Sequence, residues 1–242
     1  MKKIISILMA TLIFSAIVTM KASAADIGFT DTNGHWAEDT INKWKDEGVI
    51  TGYPDGTFKP DNPVTRGELA KIITSAFDLQ EKSVLEYADL DSSEWYYPYV
   101  ERADQYIPIY ALVSSYPNNI PYSNNEWRND GFKGFLPGVS AIRMHVAEAL
   151  VKIKIERENL DIALPDMVEM SNSLIAFYKD GGHFNLISGP HGGIPENLQR
   201  MIKYGWLAKE LDVIRGDANG NFRPYDTVTR AELLTIIDRI LS

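Results

Sequence analysis

Two four-residue segments carry residue types at a spacing that could do chemistry: Thr65-Arg66-Gly67-Glu68 and Thr229-Arg230-Ala231-Glu232. A threonine followed three residues later by glutamate, ahead of an apolar run, is a capping box. The hydroxyl accepts from the backbone N–H of the glutamate, and the carboxylate accepts from the N–H of the threonine. Val64 with Leu69, and Val228 with Leu233, stand where a hydrophobic staple would close around each box. Every residue but one therefore has a local structural task, and the exception is the arginine. A cation in the first turn opposes the helix dipole at a cost of about 0.3–1 kcal/mol, so Arg66 and Arg230 call for an anion. One source is a bound carboxylate or phosphate, met jointly by the dipole, free N–H groups and a bidentate guanidinium. The other is an acid of a neighbouring segment, such as Asp31 or Asp89. The residues alone leave both open.

Other candidate chemistry is weaker. "GDANGNF" (216–222) places Asp217, Asn219 and Asn221 at alternate positions, as a calcium loop would begin. Such a loop needs a glycine next and a glutamate at its twelfth position, where this chain has Phe222 and Val228, so a tight turn is expected instead. His183 and His191, with Ser188 between them, match no zinc spacing and no nucleophile elbow, and read as loop residues. No metal and no cofactor are expected.

The segments around the arginines repeat. "GVITGYPDGTFKPDNPVTRGELAKII" (48–73) overlays "DVIRGDANGNFRPYDTVTRAELLTII" (212–237) without a gap, with 13 of 26 positions identical at an offset of 164. A weaker copy lies between them, with Phe135, Pro137, Arg143 and Ala147 under Phe58, Pro60, Arg66 and Ala70. Its first half is clearer, since "YADLDSSEWYYPYVERA" from Tyr87 mirrors "FTDTNGHWAEDTINKW" from Phe29, both as aromatic, small residue, Asp, polar turn, Trp and helical stripe. Copy two loses the capping box, because Ile142 replaces threonine and His145 replaces glutamate. Copy three, in register, has neither the leading Asp nor the Trp.

Each copy reads as helix, turn, helix. In copy one a helix from about His35 would place Trp36, Ile41 and Trp44 on one face. Gly48 would end it in a left-handed cap. Asp-Gly then turns the chain, and Pro63 bars helix until Thr65. "PDMVEMSNSLIAFYKD" reads as an extra amphipathic helix, "GGHFNLISGPHGGIP" as a glycine-rich loop, and residues 196–211 as a long helix.

The chain opens with two lysines, an apolar run and Ala22-Ser23-Ala24, which reads as a secretory signal over residues 1–24. Its loss removes Lys2, Lys3 and Lys21 and takes the formal charge from −9 to −12. Nucleic acid and anionic membranes are poor partners for so acidic a chain, and no second membrane-spanning run follows. Cysteine is absent, so stability rests on packing alone.

"FTDTNGHWAEDTI" with "GVITGYPDGTFKPDNPVTRGELA" resembles the S-layer homology (SLH) domain, and "VIRGDANGNFRPYDTVTRAELL" resembles the second half of another. The resemblance implies an all-α chain of three SLH repeats in a pseudo-threefold prism around a central helical bundle. The expected boundaries are 26–80, 86–155 with an insertion at about 106–133, and 196–242, with residues 156–195 inserted between the last two. It further implies a secreted, monomeric, non-enzymatic module at the cell wall or surface layer. Such a module binds secondary cell-wall polysaccharide, commonly a pyruvylated amino sugar, in grooves between repeats.

By position, Arg66 and Arg230 would hold the ketal carboxylate, so their removal should weaken binding and leave melting nearly unchanged. Arg143 would persist at a degraded site. Gly52 and Gly216 would let backbone approach the sugar. Asp31, Trp36, Asp89 and Trp95 would shape the groove, with packing the expected role of the tryptophans. One or two competent grooves are expected rather than three. Trp127 and Arg128 in the insertion could extend a carbohydrate platform. The other function classes are a surface-layer interaction protein and a wall-active enzyme. No cargo domain is read after the last helix.

Overall fold

The computed structural model describes residues 28–87, 89–108, 134–186 and 193–242. Among them lie α1 (Glu38–Asp46), α2 (Arg66–Phe77), α3 (Tyr97–Ala103), α4 (Arg143–Glu158), α5 (Met167–Phe177), α6 (Glu196–Glu210) and α7 (Arg230–Leu241). A one-turn 3₁₀ helix spans Gly181–Phe184. The described residues hold no strand, only three isolated antiparallel bridges, and the class is all-α. The expected signal, Trp127, Arg128, Ser188 and His191 lie outside the described residues.

In copy one the helix starts later than expected. His35 Nδ1 accepts the N–H of Ala37 at 3.1 Å, so α1 begins at Glu38 and Trp36 is left ahead of it. Ile41 and Trp44 are buried as the periodicity requires, and Gly48 follows the helix end at φ 74°.

The three bridges belong to a cyclic hydrogen-bond system. Val64 N–H donates to Val228 O (2.9 Å), Val228 N–H to Ala141 O (3.2 Å) and Ala141 N–H to Val64 O (2.8 Å), which closes a ring through all three copies. Immediately beyond it, each second helix plugs its first two N–H groups into the next copy. Arg66 and Gly67 donate to Val139 and Pro137, Arg143 and Met144 to Asp226 and Pro224, and Arg230 and Ala231 to Asn62 and Pro60, all between 2.8 and 3.0 Å. The helices repeat the order. α2 packs on α3, α4 on α6 and α7 on α1, with Lys43 bonded to Asp238 at 2.6 Å across the α1–α7 contact.

A carboxylate sets up each acceptor segment. Asp31 accepts the N–H groups of Phe58 and Lys59, both at 2.8 Å, and Asp89 accepts those of Phe135 and Leu136. Lys59 and Leu136 adopt φ of 58° and 57°, a left-handed conformation costing roughly 1–2 kcal/mol for a residue with a Cβ. The paired hydrogen bonds hold that kink. The proline after each kinked residue then aims its carbonyl at the neighbouring helix. Behind it, Phe58, Phe135 and Phe222 are fully buried.

Copy three has the same device, in a place the ungapped alignment misses. Asp180 accepts the N–H groups of Phe222 and Arg223, both at 2.7 Å, and Arg223 has φ 55°. Tyr178 packs edge-on to Phe222 at 5.0 Å, as Phe29 packs on Phe58 at 5.4 Å. Thus Tyr178-Lys179-Asp180 is the leading aromatic-x-Asp of copy three. The expectation that this copy lacks its Asp is corrected: 42 residues separate Asp180 from Phe222, against 27 between Asp31 and Phe58. The α5 helix, capped by Asp166 on the Glu169 N–H at 2.9 Å, is the added element before it.

Both expected capping boxes form, at Thr65–Glu68 and Thr229–Glu232. Ile142 supplies no side-chain cap, yet α4 starts at the equivalent residue, because its first two N–H groups are already held by copy three. The cap is dispensable where the inter-copy bonds survive. His145, in the glutamate position, is 2% exposed, and burial with repulsion from Arg66 and Arg200 holds its imidazole well below the usual histidine range.

Two outcomes follow. Asp180→Ala should lower unfolding free energy by about 2–3 kcal/mol, as much as Asp31→Ala, in denaturant titrations. His145 favours the unfolded state when protonated, so its contribution is intact above about pH 6.5 and lost as pH falls below it. The stability of the wild type should therefore drop more steeply between about pH 6.5 and 5 than that of His145→Gln, when both are melted across that range.

Candidate functional site

The three arginines occupy equivalent positions with different partners. Arg230 reaches from copy three into copy one, where its Nε donates to Phe58 O at 2.8 Å and its Nη1 pairs with Glu68 Oε1 at 2.8 Å. Its guanidinium lies 4.5 Å from the Phe58 ring centroid and 4.9 Å from that of Tyr53. The acid of a neighbouring copy is therefore the capping glutamate, rather than Asp31 or Asp89, whose oxygens hold backbone. Glu68 accepts from three residues at once, two of its own copy and one of copy three. Its Oε2 accepts Thr65 N–H at 2.9 Å, and its Oε1 accepts both Arg230 and the Tyr53 hydroxyl, the latter at 2.5 Å. Burial and that carboxylate push the Tyr53 phenol up to about 12.

Arg66 is fully buried. Its Nε donates to Phe135 O at 2.6 Å and its Nη2 to Pro108 O at 2.7 Å. Arg143 is 6% exposed and lies 3.8 Å from Glu232, too long for a hydrogen bond, while its Nε is buried with no hydrogen-bond partner. Desolvation pulls Arg143 below the usual arginine range despite Glu232. The first-turn N–H pairs at Arg66 and Arg230, one possible place for an anion, are occupied by carbonyls of the next copy, as is the pair at Arg143.

A cavity of about 460 Å³ opens beside Arg230. Gly52, Tyr53 and Pro54 from the copy-one turn form one wall, Glu68, Lys71 and Ile72 from α2 another, and Trp95 of copy two a third. Of the residues expected at a groove, the structure gathers Arg230, Gly52, Trp95 and Glu68 here. Trp95 is 50% exposed and Trp36 63%, so the expected packing role of the tryptophans is corrected: both present ring to solvent. Arg66 is enclosed on the carbonyls of Phe135 and Pro108 and does not line this cavity. Gly52 is needed for the turn itself, since at φ 65° a Cβ would stand 2.3 Å from the Phe29 ring and 2.7 Å from Thr57 O. Gly216 at φ 89° repeats this against Tyr178 at 3.3 Å. Both glycines close a turn over the leading aromatic, which also leaves the Gly52 backbone on the cavity wall.

The remaining candidates resolve simply. Asp217 accepts the N–H groups of Asn219 and Asn221, each at 2.9 Å, which makes "GDANGNF" a turn, and no metal-holding cluster occurs among the described residues. His183 is exposed and sits edge-on to the Tyr225 ring at 5.6 Å. Tyr53 and Lys71 were not foreseen at the site, because the repeat alignment sets Asp217 and Thr235 against them. Arg66→Ala should lower unfolding free energy by about 2–4 kcal/mol, since two buried carbonyls lose a charged donor. Denaturant titration would show this, and a loss below about 0.5 kcal/mol would return Arg66 to the surface class.

The sequence model of the S-layer homology domain matches residues 28–70 and 206–234, that is, copy one and the second half of copy three. Cell surface glycoprotein 1 of Acetivibrio thermocellus is 42% identical over 64 residues, 25% of this chain and 3% of its own length. S-layer protein EA1 of Bacillus anthracis is 40% identical over 79 residues, 32% of this chain and 9% of its own. The cellulosome-anchoring protein of A. thermocellus is 35% identical over 69 residues, 28% and 15% respectively. The chain thus spans only a small part of each of these relatives. The matched segments carry Val64 and Val228 of the inter-copy ring and Gly52, Glu68 and Arg230 of the cavity, while Ala141 and Trp95 lie outside them, and in these two segments the chain carries S-layer homology domain sequence.

Proposed function

We propose that this chain attaches to the bacterial cell wall without a covalent bond, by binding an anionic secondary cell-wall polysaccharide in the Arg230 cavity. The coarser statement, cell-surface attachment, follows from the domain family and its surface-layer relatives. The single observation that carries the finer one is the cavity, which combines the features a sugar needs. Trp95 offers an exposed aromatic face, the Gly52 turn brings backbone to the wall, and Arg230, Tyr53 and Glu68 form a fixed polar edge. A largely pre-formed concave site of this kind costs little ordering on binding. The proposed ligand is a pyruvylated amino sugar at the end of the polymer, the role is anchoring rather than catalysis, and one groove carries most of the affinity.

The test is co-sedimentation of the purified chain with wall sacculi before and after the secondary polymer is extracted. Binding should be lost with the polymer and weakened at least about tenfold by Trp95→Ala, which removes the stacking face. Unchanged binding to extracted sacculi would overturn the polymer reading in favour of assembly with other surface proteins.

A further inference from the structure

The charge balance inside the cavity does not fall where the repeated motif puts it. Arg230 is the cation the sequence offers to an anionic ligand, but Glu68 already neutralises it at 2.8 Å, and Phe58 O takes its Nε. A buried guanidinium that keeps its own counter-ion contributes little net field to a second anion. The other cation on the wall is Lys71. Its Nζ makes one long hydrogen bond, to the neutral Thr51 hydroxyl at 3.3 Å, and lies 5.8 Å from the Tyr99 ring centroid. No carboxylate pairs with it among the described residues. With Glu68 and Arg230 cancelling, the three charged residues lining the cavity leave a net charge of +1, and that charge is the Lys71 ammonium.

The equivalent positions of the other copies point the same way. At the offset of copy two, Lys71 corresponds to Glu148, a buried carboxylate bonded by Arg200 and by Lys152. At the offset of copy three it corresponds to Thr235, whose hydroxyl bonds back to Ala231 O at 2.9 Å. One copy thus places a cation on this face of its second helix, one an anion and one a neutral group. The cation is the one that borders the cavity with Trp95.

We propose that Lys71 is the residue that selects an anionic over a neutral sugar in this cavity, the ligand's carboxylate serving as the counter-ion Lys71 lacks. Arg230 is then a positioning residue, which fixes Glu68 and Tyr53 and so the shape of the polar edge. This rests on the glycan reading above.

The test uses two small ligands that differ at one group: a 4,6-pyruvylated N-acetylhexosamine and the same sugar carrying a neutral 4,6-isopropylidene ketal. Calorimetric titration of the full chain should give wild-type affinity for the pyruvylated sugar at least about tenfold above that for the neutral ketal. Lys71→Ala should abolish this ratio by weakening the pyruvylated sugar alone, and Lys71→Arg should restore most of it. Raising salt should weaken wild-type binding of the charged sugar more than that of Lys71→Ala. Because Lys71 makes only one long hydrogen bond to Thr51 and a distant contact with the Tyr99 ring, the melting temperature should move little. Equal loss of both ligands in Lys71→Ala, or an unchanged ratio, would overturn the selection role and leave the cavity a sugar site. Failure of the wild type to bind either ketal would overturn the glycan reading and this inference with it.

Discussion

The interaction on which the rest depends is the donation of helix N-terminal N–H groups across the copy boundary. A helix leaves its first N–H groups without internal partners, and isolated helix–turn–helix units would leave them to water. Here the ring of Val64, Ala141 and Val228, and the six bonds beyond it, turn that deficit into the joint between copies. The joint needs acceptors in an unusual place, so each copy carries a kinked residue before proline and an aspartate to hold it. The aromatic-x-Asp at the front of a copy and the arginine helix at its back are two ends of one device.

The same geometry explains why three equivalent arginines behave differently. Arg230 and Arg66 enter the neighbouring copy on the carbonyl of its aspartate-held phenylalanine, Phe58 and Phe135. Where a capping glutamate is present and close, as at Glu68, the guanidinium is balanced and sits on a cavity wall. Where the glutamate stands off, as Glu232 does from Arg143, a buried Nε is left without a partner. Where His145 replaces it, Arg66 is enclosed on carbonyls of copy two and the nearby Pro108. A neutral imidazole is the form that site tolerates beside a buried cation.

The helices, the capping boxes and the turn chemistry were legible because each is written in contiguous residues with a local physical cause. Thr65 and Glu68 find each other across three residues whatever the rest of the chain does, and Asp217 closes its own turn. The arginine partners were not legible, since the bonds from Arg230 to Phe58 and Glu68 span 172 and 162 residues. Asp180 was hidden by an added stretch that shifts it out of register, although Tyr178-Lys179-Asp180 repeats the pattern of Phe29-Thr30-Asp31 and could have been found by that tripeptide. The tryptophans misled for a different reason: a large aromatic ahead of an amphipathic helix reads as core, and only the late start of α1 at Glu38 shows Trp36 outside it.

The closed ring also sets an order of events for the chain as it emerges. The carbonyls of Pro60 and Asn62, in the first copy, receive donors from Ala231 and Arg230, more than 160 residues later. The first joint in sequence, from α2 to copy two, can form early, but copy one stays half-capped until the last helix arrives. Bringing such distant segments together costs loop-closure entropy before contacts reward it, which slows folding and concentrates it into a late, cooperative step. A chain threaded through a membrane from its N-terminus would therefore cross before its final joint could lock.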